Sequence, residues 1–111
     1  MDDCVFCNIV NKTLESELLF ENDKLIAIRD ILPKAPVHIL IIPKKHVLSL
    51  NHLEASDAGL AGEMLLVAKQ VAEKFGVAET GYKLMFNVGR DGGQVIPHLH
   101  LHLLGGKNLG D

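Results

Sequence analysis

The sequence has no excess of basic residues and no long apolar run, and both absences narrow its possible functions. It contains 11 Lys and Arg against 14 Asp and Glu residues, a formal net charge of −3, which gives no general attraction for nucleic acid or an anionic membrane. A phosphate-bearing ligand would therefore need local hydrogen-bond donors. No apolar stretch reaches the roughly 18–20 residues of a membrane-spanning helix. The start, MDDCVFCNIV, lacks the basic region of a secretory signal, so we expect a cytoplasmic protein.

Repeats, linkers and low-complexity segments are also absent. The chain has 111 residues, of which 48% are hydrophobic, enough for one domain with its own core but not for two. We therefore expect a single globular, soluble domain that spans residues 1–111.

Cysteine is scarce, and the only two cysteines are Cys4 and Cys7, in a CxxC spacing. In a reducing compartment such a pair is more often half of a metal site or a redox pair than a structural disulfide. A thioredoxin-like redox motif needs a strand that leads into it, and the three residues before Cys4 cannot supply one. Two unpaired thiols remain the alternative.

The clearest predicted element is a helix between Ser56 and Gly76. Apolar residues recur there at helical spacing and form one apolar face. Ser56 or Asp57 is suited to the start of this helix, and Gly76 to the position after its end. The predicted core face consists of Leu60, Met64, Val67, Ala68, Val71 and Phe75.

Short apolar segments on either side of this helix predict an antiparallel sheet. ELLFEND and KLIAIRD are typical of a hairpin around Asn22 and Asp23, and VHILIIP is typical of a β-branched strand that ends at Pro43. YKLMFNV and PHLHLHLL are predicted to pair through the tight turn in GRDGGQ. The expected fold is α+β, with about five antiparallel strands and one principal helix packed on the sheet.

In PHLHLHLL, His98, His100 and His102 alternate with leucines. Because successive side chains of a strand point to opposite faces, the histidines should share one face and the leucines should pack under the helix. Three interpretations are open. The histidines could merely satisfy a partly buried face, a His-x-His pair could bind catalytic zinc with a third ligand, or one imidazole could attack a phosphorus centre. In the third case its neighbours would bind the phosphate oxygens and protonate the leaving group.

The segment HLHLHLL resembles the histidine-triad signature at every position. RDILPKAPVHILIIPKKH and NVGRDGGQVIPHLHLHLLGG resemble segments of the Hint branch, the histidine-triad nucleotide-binding proteins, and the resemblance covers nearly the whole chain. It implies a HIT-like fold and a homodimer that binds a purine nucleotide such as AMP. It also implies hydrolysis of purine nucleoside phosphoramidates of the AMP-lysine type at the α-phosphorus.

The resemblance assigns roles to the histidines. His100, in the middle, would be the nucleophile that forms a covalent nucleotidyl intermediate, and His102 would help to hold the phosphate group. His38, in APVH, would support the nucleophile from behind and fix the orientation and tautomer of its ring. His98 completes the catalytic set. His52 matches no motif and is interpreted as a surface residue.

Further residues would surround the nucleotide. The Asp30 carboxylate would accept hydrogen bonds from the ribose hydroxyls, and Gly93, without a Cβ, would let backbone N–H groups approach the phosphate. Val95 replaces a serine that helps the leaving group in many animal Hint proteins, and the chain stops at GGKNLGD, short of the family's longer tail, so the leaving-group preference stays open. The other implied positions are Ile28 and Ile31 at the base, and Asn87 and Gln94 at the phosphate.

Some histidine-triad proteins, and the related galactose-1-phosphate uridylyltransferases, carry zinc on a CxxC pair and two histidines. The matching residues here are Cys4, Cys7, His46 and His98, a set typical of closed structural zinc sites. We expect any zinc to be structural, and we expect no dissociable catalytic metal. A metal on His98 would limit it as a proton donor, so the leaving group would take its proton from another group or from water.

Two alternative functions stay open. A dinucleoside polyphosphate hydrolase would use the same nucleophile, with a nucleotide as the leaving group. A zinc-stabilised nucleotide-binding or interaction module would show little turnover. Comparing the two substrates separates the enzymes, and loss of turnover on His100→Ala separates both from the binding module.

Overall fold

The computed structural model describes residues 3–111 and confirms the predicted α+β architecture. Five antiparallel strands form one sheet in the order β1-β2-β3-β5-β4. No helix within this part of the chain is both long enough and apolar enough to cross a membrane. The elements are α1 (Val5–Val10), β1 (Leu18–Glu21), β2 (Leu25–Arg29), β3 (Val37–Pro43), α2 (Ala58–Lys74), β4 (Tyr82–Met85) and β5 (Leu101–Gly105).

Apart from His38, the central strand β3 is apolar, because both faces of the sheet are covered. Ile39 and Ile41 belong to the apolar cluster under α2, whereas Leu40 and Ile42 belong to a second cluster that includes residues of α1. The β3–β5 register places His38 opposite Leu104 and Leu40 opposite His102. Since side chains alternate along a strand, His38 and His102 share the face that α1 covers.

The principal helix begins at Ala58, directly after Asp57, one of the two residues that the sequence predicts at its start. Residues 55–57 form a 3₁₀ turn, because the Asp57 carboxylate accepts a hydrogen bond from the Glu54 amide at 2.9 Å and pairs with Lys45 at 2.8 Å. The far end agrees with the prediction, as Gly76 adopts a φ of 77° after the helix ends. The predicted core face is confirmed: Met64, Val67, Ala68 and Val71 are buried, with Leu60 and Phe75 packed against them.

The prediction of one long hairpin over YKLMFNV and PHLHLHLL is wrong in extent. The pairing of β4 with β5 is antiparallel, as expected, but β4 ends at Met85 and β5 begins only at Leu101. The Leu99 amide donates instead to the Val47 carbonyl at 2.7 Å, which draws this segment toward the loop after β3. The tight turn is present, with the Gly93 amide donating to the Arg90 carbonyl at 3.1 Å.

Candidate functional site

The three histidines keep their alternation with the leucines although only His102 lies within β5. Leu99, Leu101 and Leu103 are buried in the cluster under α2, so the histidines between them are directed toward the opposite face. The rings of His100 and His102 are neighbours, with centroids 4.9 Å apart. His98 is fully buried, whereas a small part of His100 is accessible.

One ring nitrogen of His100 is hydrogen-bonded to the backbone, and the other has no hydrogen-bond partner among the described residues. Nδ1 lies 2.7 Å from the His98 carbonyl oxygen, and because a carbonyl only accepts, Nδ1 carries the proton. Nε2 of His100 has no hydrogen-bond partner among residues 3–111. Every buried side-chain nitrogen or oxygen in that range has a partner. Nε2 is therefore not buried, and it is accessible to solvent. Burial lowers the pKa of His100. The ring is therefore a neutral imidazole that exposes a lone pair, the form in which histidine acts as a nucleophile.

His102 has the opposite tautomer because of a chain of hydrogen bonds that starts at the backbone. The Lys34 amide donates to Nδ1 of His38 at 3.1 Å, so His38 carries its proton on Nε2. That Nε2 lies 3.0 Å from Nδ1 of His102 and donates to it. His102 consequently carries its own proton on Nε2 and can donate it to an anionic oxygen. A lone-pair donor and a proton donor thus stand side by side.

His38 and Asp30 form the outer part of this chain. The hydrogen-bond partner of His38 is His102, so any support that His38 gives to His100 passes through the His102 ring. One carboxylate oxygen of Asp30 lies 3.4 Å from Nε2 of His38, and the other accepts the Leu32 amide at 2.8 Å. Burial lowers the pKa of His38 as well.

Cys4, Cys7, His46 and His98 form a cluster that could hold a metal ion, with all four potential ligand atoms within 4.8 Å of one another. Sγ of Cys4 lies 3.3 Å from Nδ1 of His98, and Sγ of Cys7 lies 3.2 Å from Nδ1 of His46. His98 donates from Nε2 to the Pro43 carbonyl at 2.8 Å, which leaves its Nδ1 unprotonated and able to act as a ligand. Burial and the neighbouring Cys4 raise the pKa of the Cys7 thiol to about 11.

The predicted nucleotide-binding residues differ in their exposure. Ile28 is buried in the α1-side cluster, whereas Ile31 is 87% exposed. Gly93 adopts a φ of 78°, a conformation that favours glycine, and Asn87 donates to the Gly92 carbonyl at 2.8 Å. Val95 is exposed, and so is His52, as the sequence predicts.

The Gln94 side chain is used within its own surroundings. Its Nε2 group donates to the carbonyls of Leu48 at 2.6 Å and Ile96 at 3.1 Å, and its Oε1 atom accepts the Gly89 amide at 3.0 Å. These bonds tie the loop before His98 to the loop after β3, so Gln94 shapes the site through its scaffold.

Sequence reasoning missed Phe6. Its ring packs edge-to-face against both His98 and His100, with centroid distances of 5.7 and 5.0 Å. Its position between Cys4 and Cys7 was the signal that could have found it. If both cysteines and His98 bind one metal ion, the residue between the cysteines must lie close to His98.

Comparison with known proteins agrees with this geometry. The HIT domain model matches residues 11–109. A purine nucleoside phosphoramidase of Escherichia coli K12 is 41% identical over 109 residues, which cover 98% of this chain and 92% of that protein. A HIT family hydrolase from Legionella pneumophila superposes with a TM-score of 0.96 at 44% identity, covering 97% of this chain and 96% of the other. A HIT family hydrolase from Clostridium thermocellum superposes with a TM-score of 0.97 at 44% identity, and the match covers 100% of this chain and 96% of the other.

The fold and the histidine cluster thus define a hydrolase of the histidine-triad class. The chain belongs to the HIT domain family.

The environment of His102 generates a testable prediction. Burial, together with the neighbouring His100 and His38 rings, lowers the pKa of His102 from 6.5 to about 4. The Asp30 carboxylate acts in the opposite direction but is outweighed. As the pH falls, His102 is therefore protonated in the unfolded chain before it is protonated in the folded one. The contribution of the neutral ring to the free energy of unfolding is lost as the pH falls from 6.5 to about 4. A pH titration by NMR, with His102→Asn to assign the resonance, measures the value. Titration of the native ring near 6.5 would contradict the prediction.

Proposed function

We propose that this chain hydrolyses purine nucleoside phosphoramidates of the AMP-lysine type at the α-phosphorus, through a covalent nucleotidyl intermediate on His100. The observation that carries the proposal is the pair of opposite tautomers. His100 exposes a lone pair on Nε2, while His102, with its ring centroid 4.9 Å away, carries a proton on Nε2. The name of the E. coli relative, purine nucleoside phosphoramidase, supports the choice of substrate.

In the first step Nε2 of His100 attacks the α-phosphorus, the N–P bond to the histidine forms, and the bond to the amine nitrogen breaks. The positive charge that develops on the imidazole is stabilised by the hydrogen bond from Nδ1 to the His98 carbonyl. His102 donates its Nε2 proton to a phosphoryl oxygen in a charge-assisted hydrogen bond. Water then attacks the phosphorus, His100 leaves as a neutral ring, and the products are the amine and a nucleoside monophosphate.

The leaving amine gains one proton, and His98 is not its source. Its Nε2 proton is directed to the Pro43 carbonyl and its Nδ1 faces the cysteines. We propose that solvent water supplies this proton, and that the hydroxide this leaves is neutralised by the proton released when water attacks the phosphorus in the second step.

The nucleoside would lie along the end of β2. Each oxygen of the Asp30 carboxylate makes one contact in the protein and keeps acceptor capacity for a ribose hydroxyl. Ile31 offers an exposed apolar surface to the base, while Ile28 forms the buried floor behind it.

The α-phosphate would be bound mainly by backbone groups of the loop that contains Asn87, Gly93 and Gln94. The Val95 amide makes no hydrogen bond to any residue between 3 and 111, so it is available to an anionic oxygen. The Gln94 side chain contributes by holding this loop in place.

We propose that the four-residue cluster binds one Zn²⁺ through Cys4, Cys7, His46 and His98. Two thiols and two imidazole nitrogens are the donor set that zinc prefers in closed tetrahedral sites. With these four ligands the site would have no open position for a water molecule, so the ion would stabilise the fold and would take no part in the chemistry. No dissociable catalytic metal is needed. We also propose a cytoplasmic location, because a CxxC pair that binds metal is typical of a reducing compartment.

We also propose that two copies form a homodimer. Leu65 and Leu66 on α2, and Leu84 and Met85 on β4, are exposed apolar side chains, and β4 is an edge strand. Exposed apolar residues beside an unpaired strand edge are typical of an interface. Analytical ultracentrifugation should give twice the chain mass, and Leu66→Glu should shift the protein toward the monomer. A monomeric native protein at micromolar concentration would contradict the dimer.

Removal of the nucleophile tests the catalytic proposal. His100→Ala should lower kcat/KM for an adenosine 5′-phosphoramidate by about 10³-fold or more, because the covalent route is lost. Steady-state rates are compared with those of His52→Ala, a substitution of an exposed histidine that matches no catalytic motif. Wild-type turnover in His100→Ala would exclude this residue as nucleophile. Faster hydrolysis of diadenosine tetraphosphate than of the phosphoramidate would favour the polyphosphate hydrolase.

Metal analysis tests the zinc proposal. The purified native chain should contain about one zinc per chain, and Cys4→Ser should contain much less. Removing the ion with a strong chelator should lower the free energy of unfolding by roughly 3 kcal/mol or more, since metal binding stabilises only the folded site. Denaturant unfolding with and without chelator gives the difference, and His52→Ala should retain its metal. A native protein without zinc, and indifferent to added zinc, would contradict the proposal.

A further inference from the structure

Phe6 is the aromatic ring closest to the reacting histidine apart from the histidines themselves, within residues 3–111. Its side chain is 2% exposed. It meets the His98 ring at 5.7 Å with an interplanar angle of 87°, and the His100 ring at 5.0 Å with an angle of 71°. Edge-to-face contacts of this kind are favourable because the positive edge of one ring points at the negative face of the other.

These contacts help to fix the orientation of the His100 ring. Phe6 packs on it, His102 packs on it at 4.9 Å and 61°, and Nδ1 is bonded to the His98 carbonyl. A half-turn of the ring would exchange Nδ1 with a carbon atom and break that bond. The same rotation would remove the Nε2 lone pair from its accessible position.

Phe6 is in turn held by the cysteines on either side of it. The helix that carries it, α1, has 6 residues, and so short a helix is not stable without tertiary contacts. Cys4 contacts His98 at 3.3 Å, and Cys7 contacts His46 at 3.2 Å. Cys7 also donates its backbone N–H to Sγ of Cys4 at 3.4 Å. The cysteines therefore attach α1 to the loops that lead to the histidines.

We infer that Phe6 is a positioning residue for the hydrolysis: its ring, held between Cys4 and Cys7, keeps the His100 imidazole in the orientation that exposes Nε2. The inference rests on the proposed function, because it takes His100 as the nucleophile. It links the cysteine–histidine cluster to catalysis through packing, without a catalytic role for a metal.

The test replaces the ring by an aliphatic side chain of similar volume. Phe6→Leu should lower kcat for an adenosine 5′-phosphoramidate about 3- to 10-fold, the scale of a lost aromatic contact, with KM changed less than about 2-fold. In ¹⁵N NMR spectra the His100 ring should lose part of its Nδ1–H tautomer. Metal content should stay at the native level.

The matched control is Ile9→Val. Ile9 is buried in the same cluster of apolar residues as Phe6, on the same helix, but carries no ring. This variant should keep the native kcat and the native His100 tautomer. If Phe6→Leu does not fold, Phe6→Met, with a more adaptable side chain, replaces it in both measurements.

Three results would overturn the inference: an unchanged kcat and tautomer in the Phe6 variant, a raised KM at unchanged kcat, or an equal loss of kcat in Ile9→Val. A raised KM alone would mean that Phe6 serves only nucleotide binding. Failure of the proposed function is distinguishable, because it would be seen as wild-type turnover in His100→Ala. The tautomer measurement still tests the contact between Phe6 and His100 in that case.

Discussion

The antiparallel pairing of β3 with β5 is the interaction on which the site depends. It joins segments about sixty residues apart in the chain, with His38 opposite Leu104 and Leu40 opposite His102. This register brings His38 to its hydrogen bond with His102. The segments just outside the ladder then meet as well, at His46 and His98. The loop-closure entropy of this pairing is offset by apolar burial on both faces of the sheet.

Backbone groups set the tautomers of His38, His98 and His100. The His98 carbonyl determines the tautomer of His100, the Lys34 amide determines that of His38, and the Pro43 carbonyl determines that of His98. Burial lowers the pKa of each of these rings. Main-chain atoms are fixed by the fold, so the tautomers of these three rings follow from the backbone conformation around them. Neutral rings with defined tautomers suit a nucleophilic mechanism near pH 7.

Local pattern was enough to predict the sheet, the principal helix and the alternation of histidines with leucines. The helical spacing of Met64, Val67 and Val71 reports a buried face directly. The start of β5 at Leu101 could not be predicted, because it depends on a hydrogen bond from Leu99 to Val47. The partners of His38 and Gln94 depend on similar long-range contacts, which leave no periodic signal in the sequence.

The alternation along residues 98–103 serves the core and the site at once. The leucines fill the cluster under α2, while the histidines line the candidate site on the other face. A single-residue insertion or deletion in this segment would exchange the two sets, burying imidazoles against apolar side chains and exposing leucines to substrate. Length changes here would therefore abolish folding and activity together. During divergence this segment can accept substitutions only in place, at constant length.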